Sequence, residues 1–168
     1  MTTVPHPATI FDLTGRTALV TGASSGIGRR MAGVLAGAGC RVIVTARRAD
    51  LLADLTAAHP GMVAVAADLA VADDRERLVA AAEAAVGGVD ILVNNAGVIT
   101  SRAIERETLD EFEAMVDVNL VAAWHLTKLV GTGMVERGRG SVVNVASIWG
   151  VVGATPIKSA GYAASKGA

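Results

Sequence analysis

The clearest chemical signature in the chain is Thr21 to Gly28, TGASSGIG, which follows the apolar run Ala18, Leu19, Val20 and leads into Arg29, Arg30, Met31 and Ala32. An apolar strand that stops at closely spaced glycines and restarts as a helix makes a phosphate-binding βα turn. Gly22 permits the tight turn, Gly26 lets backbone approach a pyrophosphate, and Gly28 lets the new helix pack closely on its strand. Ser24, Ser25 and Ile27 fill the turn, and the helix N-terminus offers unpaired N–H groups and a partial positive charge. The spacing is GxxxGxG, and a glycine-rich loop alone is compatible with a simple turn. A second pair, Tyr162 and Lys166 in YAASK, stands four residues apart at the expected start of a helix, which puts a phenol and an ammonium on one helical face. That spacing is commonplace, so its meaning depends on what positions it.

The positioning elements are legible as an alternation. Strands are expected over 17–21, 41–46 (RVIVTA), 62–67 (MVAVAA), 90–94 (DILVN) and 141–145 (SVVNV), with helices over 26–38, 50–58, 73–86 and 109–137 between them. Thr108 and Glu111 are in capping-box spacing at the start of the longest helix, and glycines at 138 and 140 close it. Short apolar strands alternating with helices of ten or more residues predict right-handed βαβ units and a parallel sheet covered on both faces. The fold class is therefore α/β: a doubly wound, Rossmann-type sheet with a nucleotide crevice at the carboxyl ends of its strands. The polar signals fall at those ends: Asp68-Leu69 after the third strand, Asn94-Asn95-Ala96-Gly97 after the fourth, and Ser147 after the fifth. Residues 1–12, with Pro5 and Pro7, read as a loose arm before a single domain over 13–168.

Composition narrows the function classes. A net charge of -1, from 15 basic and 16 acidic residues without a long like-charge block, gives no electrostatic reason to expect nucleic acid or an anionic membrane as partner. The lone Cys40 allows no intrachain disulfide and reads as a small buried hydrophobe at a strand start. No basic-then-apolar leader and no span of membrane length is present, so a cytoplasmic protein is expected. His6, His59 and His125 lack ligand partners at metal spacing, so no metal is expected. Trp124 is expected to pack on the apolar side of the long helix.

TGASSGIG, the NNAG at Asn94, a serine after the fifth strand and YAASK occur together and in this order. In this the chain resembles the short-chain dehydrogenase/reductase superfamily in its shorter single-domain form, from Leu13 onward. The resemblance implies an NAD(P)-dependent oxidoreductase that interconverts a ketone and a secondary alcohol, of the kind of the acyl-carrier-protein ketoreductases or the sugar-acid and polyol dehydrogenases. It implies that Asn119 holds a water of a proton relay, that Ser147 hydrogen-bonds the substrate oxygen, that Tyr162 is the general acid/base, and that Lys166 assists it and binds the nicotinamide ribose. Asn95, Ala96 and Gly97 would line the cofactor, with Asp68 and Leu69 flanking the adenine ring; a helix N-cap is the competing reading of Asp68. It further implies a homodimer or homotetramer joined through the long helix and the helix at Tyr162. Family members run well beyond Ala168, which implies a C-terminally incomplete domain and keeps open the alternative of a catalytically silent nucleotide-binding fragment. The interval from Ser147 to Tyr162 is fifteen positions, two more than is usual, so an insertion is expected in the loop between them; Ser159 and Ser141 are weaker candidates for the serine role.

The residues suit this chemistry. A free phenol titrates near pH 10, too high for a neutral-pH base, and an adjacent cation lowers that value by stabilising the phenolate. Lys166 is one of three lysines, and Tyr162 is the only tyrosine. At the end of the second strand stand Ala46, Arg47 and Arg48, with no carboxylate before Asp50. A carboxylate there would accept from the ribose 2′-OH of NAD, whereas arginine pairs with a 2′-phosphate. Arg47, with Arg48, therefore favours NADP over NAD; the competing reading is two solvated arginines at a helix start.

Overall fold

The computed structural model of the chain describes residues 10–152 and 158–168. The arm over 1–9 and residues 153–157 of the expected loop insertion lie outside the described residues. Five strands, β1 (Thr17–Thr21), β2 (Arg41–Ala46), β3 (Val63–Ala66), β4 (Ile91–Asn94) and β5 (Ser141–Asn144), form one sheet in the order β3-β2-β1-β4-β5. Every pairing is parallel, with Thr17 opposite Arg41, Thr21 opposite Thr45 and Val20 opposite Val93. In this register the carboxyl ends of β1, β2 and β4 finish level, which is where the glycine turn and the polar residues emerge.

Alternation along the strands divides the core into two layers. Leu19, Ile43 and Leu92 pack against Leu78 and Ala82 of α3 (Ala72–Val86) and Leu126, Val130 and Met134 of α5 (Ala122–Glu136). Ala18, Val20, Val42, Val44 and Val93 face Ala32 of α1 (Gly26–Gly37) and Leu52 and Leu55 of α2 (Ala49–Ala58). Each fully buried Leu or Val is worth about 1.5–3 kcal/mol over its exposed state. Full coverage holds for β1 but not for the margins of the sheet. All four residues of β5 are exposed, Val142 and Val143 among them, because β5 is the edge strand and pairs only with β4 among the described residues.

The expected continuous helix over 109–137 is interrupted. α4 (Leu109–Val116) opens with the capping box, Thr108 Oγ1 accepting from Glu111 N–H at 3.2 Å and Glu111 Oε2 from Thr108 N–H at 3.1 Å. A π turn at Asp117–Val121 follows, in which the Ala122 N–H reaches back five residues to Asp117 O, and only then does α5 begin. Trp124 does not pack in the core: it is 60% exposed, stacks on His125 and lies under Lys128 Nζ, 5.6 Å from the ring centroid. Cys40 lies buried just before β2, its thiol donating to Arg16 O at 3.2 Å.

Candidate active site

β1 and β4 are neighbours whose onward connections run to opposite sides of the sheet, so their ends diverge and open a crevice. Thr21 latches the two strands there. Its Oγ1 donates to Val93 O at 3.1 Å and accepts from the N–H groups of Asn95 and Ala96, both at 3.0 Å. Asn95 reaches back, Nδ2 donating to Thr21 O at 2.9 Å and Gly22 O at 3.3 Å. The glycines make room for this. A Cβ on Gly22, whose φ is +66°, would stand 2.8 Å from Ala96 Cα, and one on Gly28 would overlap Asn95 Nδ2 and stand 2.5 Å from Gly22 O. Gly28 thus packs against the turn and Asn95, where close packing on the strand was expected. Gly26 has φ +57° and open space where its Cβ would lie, which leaves its backbone approachable.

A cleft of about 460 Å³ runs from Gly22, Ser24 and Ser25 past Arg47, Arg48, Asp68 and Leu69 to Asn95, Ala96 and Gly97, and ends at Met115 and Val118. Arg48 is committed to the turn, its Nη2 donating to Ser24 Oγ at 2.8 Å and Ser25 Oγ at 3.1 Å. Arg47 stands exposed at the rim and makes no ion pair among the described residues. Asp68 is not the cap of α3, whose N-cap is Val71; its Oδ1 accepts from Ala70 N–H at 3.0 Å and stiffens the turn before the helix. Leu69 is fixed by buried Arg75, which donates from Nη1 to the Leu69 carbonyl and from Nε to His125 Nδ1 at 3.0 Å. Ile27 is 64% exposed on the first turn of α1 and does not line the cleft. Asn94, the last residue of β4, ties that strand to β5 through Nδ2 to Asn144 Oδ1 at 2.9 Å.

The second half of the site comes from the π turn and from α6 (Ala160–Gly167). Buried Asn119 accepts at Oδ1 from Val98 N–H at 2.8 Å and donates from Nδ2 to Val98 O and Ser165 Oγ, both at 2.9 Å. Its amide is thereby spent on binding the post-β4 loop to α6. Lys166, half-buried, donates from Nζ to Val145 O at 2.8 Å, and burial holds its pKa below the ordinary lysine value. A Cβ on Gly97 would lie 3.2 Å from Asn119 Oδ1 and 3.5 Å from Lys166 Nζ, so Gly97 is the thin wall between the cleft and a groove of about 410 Å³ that Lys166, Asn119, Asn144 and Val145 line. The Tyr162 ring meets the Trp149 ring edge to face, centroids 5.9 Å apart at 84°. Ser147 caps the short 3₁₀ turn Ile148–Gly150, accepting at Oγ from Trp149 N–H at 3.3 Å. Of the alternative serines, Ser159 is buried with its hydroxyl donating to Thr100 O at 2.8 Å, and Ser141 lies at the far, amino end of β5. Ser147 is the one of the three that stands beyond the carboxyl end of the sheet with its proton uncommitted among the described residues.

Thr21, Arg75 and Trp149 were not apparent as site-builders from the sequence. Thr21 reads as the last residue of a β-branched strand, and Arg75 as one charge on a polar helix. Among the described residues no three His, Cys, Asp or Glu side chains gather as metal ligands, and no helix is long and apolar enough to cross a membrane.

A parallel α/β sheet with a glycine turn at its switch point, a cleft alongside and Ser147, Tyr162 and Lys166 beyond its fifth strand defines a Rossmann-type dinucleotide-binding protein. The family model for short chain dehydrogenase matches residues 16–168. The chain belongs to the short-chain dehydrogenase/reductase family. It is 40% identical over 159 residues to the D-beta-hydroxybutyrate dehydrogenase of Cupriavidus necator, covering 92% of this chain and 61% of that protein. It is 34% identical over 146 residues to the 3-oxoacyl-[acyl-carrier-protein] reductase of Synechocystis, covering 84% and 59%. Among solved structures it superposes with a TM-score of 0.88 on a gluconate 5-dehydrogenase from Burkholderia cenocepacia in complex with NADP and tartrate, at 31% identity over 96% of this chain and 64% of that one. The chain thus spans about six tenths of the length of these relatives.

Proposed function

We propose that the chain is the cofactor-binding and proton-transferring part of an NADP-dependent oxidoreductase that interconverts a ketone and a secondary alcohol. The observation that carries this reading is the placement of α6, which brings Lys166 Nζ against Gly97 of the cleft wall and Tyr162 into the turn that Ser147 caps. Asn95, Ala96, Gly97 and Lys166 would hold the nicotinamide, which would supply or accept the hydride at the carbonyl carbon. In the reducing direction Tyr162 gives its phenolic proton to the carbonyl oxygen as that oxygen gains charge, and Ser147 donates a hydrogen bond to the same atom. Lys166, held on Val145 O, is the cation that favours the phenolate left behind. Asn119 maintains the spacing of these groups by bonding both the Val98 backbone and Ser165 of α6.

The cleft suits NADP. Backbone at Gly26 is open to a pyrophosphate, Arg48 braces the two serines of the turn, and Arg47 stands at the end of β2 where NAD would need a carboxylate. The NADP complex of the Burkholderia relative supports this choice. The same reading includes a dimer or tetramer, in keeping with the exposed Trp124 and Val135 on α5.

The test is the loss of reduced-nicotinamide absorbance with NADPH or NADH and a panel of β-ketoacyl thioesters, β-keto acids and keto sugar acids, or its gain with NADP+ or NAD+ and β-hydroxy acids and sugar acids, beside a Tyr162→Phe variant. Turnover that vanishes in the variant while cofactor binding persists is the expected result. Cofactor binding with no turnover on any carbonyl would instead favour a silent nucleotide-binding fragment, and unchanged turnover in Tyr162→Phe would refute the assignment of the proton.

A further inference from the structure

Trp149 touches both groups that reach the substrate oxygen. Its backbone N–H fills one lone pair of Ser147 Oγ, and its indole stands edge to face against Tyr162. The turn that carries it is seated directly on α6. A Cβ on Gly150 would overlap the Lys166 carbonyl and lie 2.8 Å from Gly167 N, so turn and helix meet backbone to backbone with no side chain between them.

From this contact we propose that Trp149 is a positioning residue for the oxidoreduction: its indole holds the Tyr162 phenol in one orientation. The proposal rests on the reading of Tyr162 as the proton carrier. A half-buried tyrosine on the first turn of a short helix has two soft torsions and several staggered rotamers open to it. An edge-to-face partner selects the rotamer that keeps the rings perpendicular. The Trp149 N–H on Ser147 Oγ is a backbone group that any non-proline residue here would supply, so the indole is what distinguishes this position. The indole sits on a turn that Gly150 anchors, and it places a proton without supplying one.

Tyr162 is the sole tyrosine, which gives it a private spectroscopic signal, and Trp124 is the sole other tryptophan, which supplies the control. In this 168-residue chain, ring-labelled tyrosine yields the NMR signals of Tyr162 alone, and the indole ring current displaces them from ordinary tyrosine positions. That displacement is expected to disappear in Trp149→Leu, to change in size in Trp149→Phe, and to persist in Trp124→Leu. With NADPH and a ketone turned over in the panel, kcat is expected to fall about 10- to 100-fold in Trp149→Leu while the KM for NADPH stays within about twofold, and Trp149→Phe is expected to restore most of it. Tyrosine signals that stay at their wild-type positions in a folded Trp149→Leu, or an unchanged kcat, would overturn the proposal. Should that variant fail to fold, wild-type tyrosine signals in Trp149→Phe would overturn it equally. Turnover retained by Tyr162→Phe strikes the underlying reading, whereas a dead Tyr162→Phe beside wild-type kinetics in Trp149→Leu strikes this proposal alone.

Discussion

Two glycines on α1 are expected to respond to alanine with opposite signs. At Gly28 a methyl group would overlap Asn95 Nδ2 and stand 2.5 Å from Gly22 O, while at Gly37, on the last turn of the same helix, it meets nothing within 4 Å. Neither has a left-handed φ, so the difference is one of space. In Gly28→Ala, relief of the overlap must push Asn95 off Thr21 O and Gly22 O, which loses two hydrogen bonds at a cost of about 2 kcal/mol. The strain of overpacking adds about 2 kcal/mol, and the better helix propensity of alanine returns about 1 kcal/mol. The net loss of about 3 kcal/mol corresponds to a fall in Tm of roughly 10 °C for a domain of this size. Gly37→Ala keeps only the propensity gain and is expected to rise by about 0.5 kcal/mol. Urea unfolding of the two variants and the wild type, with NADPH affinity measured by calorimetry, reads both signs. A Gly28→Ala protein that unfolds at the wild-type midpoint and binds NADPH normally would refute the role given to this glycine, and equal destabilisation at Gly37 would refute the reasoning from space.

Arg47→Ala is expected to weaken NADPH about 10- to 100-fold, the worth of a charge-assisted bond to phosphate, while NADH affinity stays within about twofold; equal losses for the two cofactors would remove Arg47 from the 2′-phosphate. The Cys40 thiol is pushed up from 9.0 to about 11, first by burial and second by the negative charge of Asp90. The folded state therefore holds this proton more tightly than the unfolded chain, and the resulting stability is complete below pH 9 and lost as pH rises through about 11. Cys40→Ala, about 1 kcal/mol less stable at neutral pH through lost packing, is expected to close on the wild type across that interval in urea midpoints, and a gap that stays constant would contradict the assignment.

The central strands were legible because their information is local. Thr17–Thr21 and Arg41–Ala46 are apolar, β-branched runs bounded by a glycine turn and by charge, and both occur with the bounds expected of them. The capping box at Thr108 and Glu111 was equally readable, since two side chains three apart make it. The π turn was not, because DVNLV has the composition of ordinary helix and the extra residue shows only in which carbonyl Ala122 bonds. Trp124 was misplaced for the same reason: one inserted residue rotates everything after it by about 100°, so a face counted from α4 does not extend along α5. Of the two readings of Asp68, the competing one as a helix cap fails, because the N-cap of α3 is Val71, three residues on. Arg75 carried no signal at all; only the fold reveals that a charged residue of α3 is buried beneath Leu69.

The interruption at Asp117–Val121 also gives the two halves of the long helix separate histories to follow. α4 presents Ala114 and Met115 to the cleft, whereas α5 presents Leu126, Val130 and Met134 to α3 and the sheet. In an unbroken helix these two surfaces would be locked to one periodicity, and adapting one to a new ligand would disturb the other. Here a substitution at Ala114 can change what enters the cleft without touching the face that α5 packs on α3 and the sheet, and Asn119, at the joint, bonds the loop after β4 to α6.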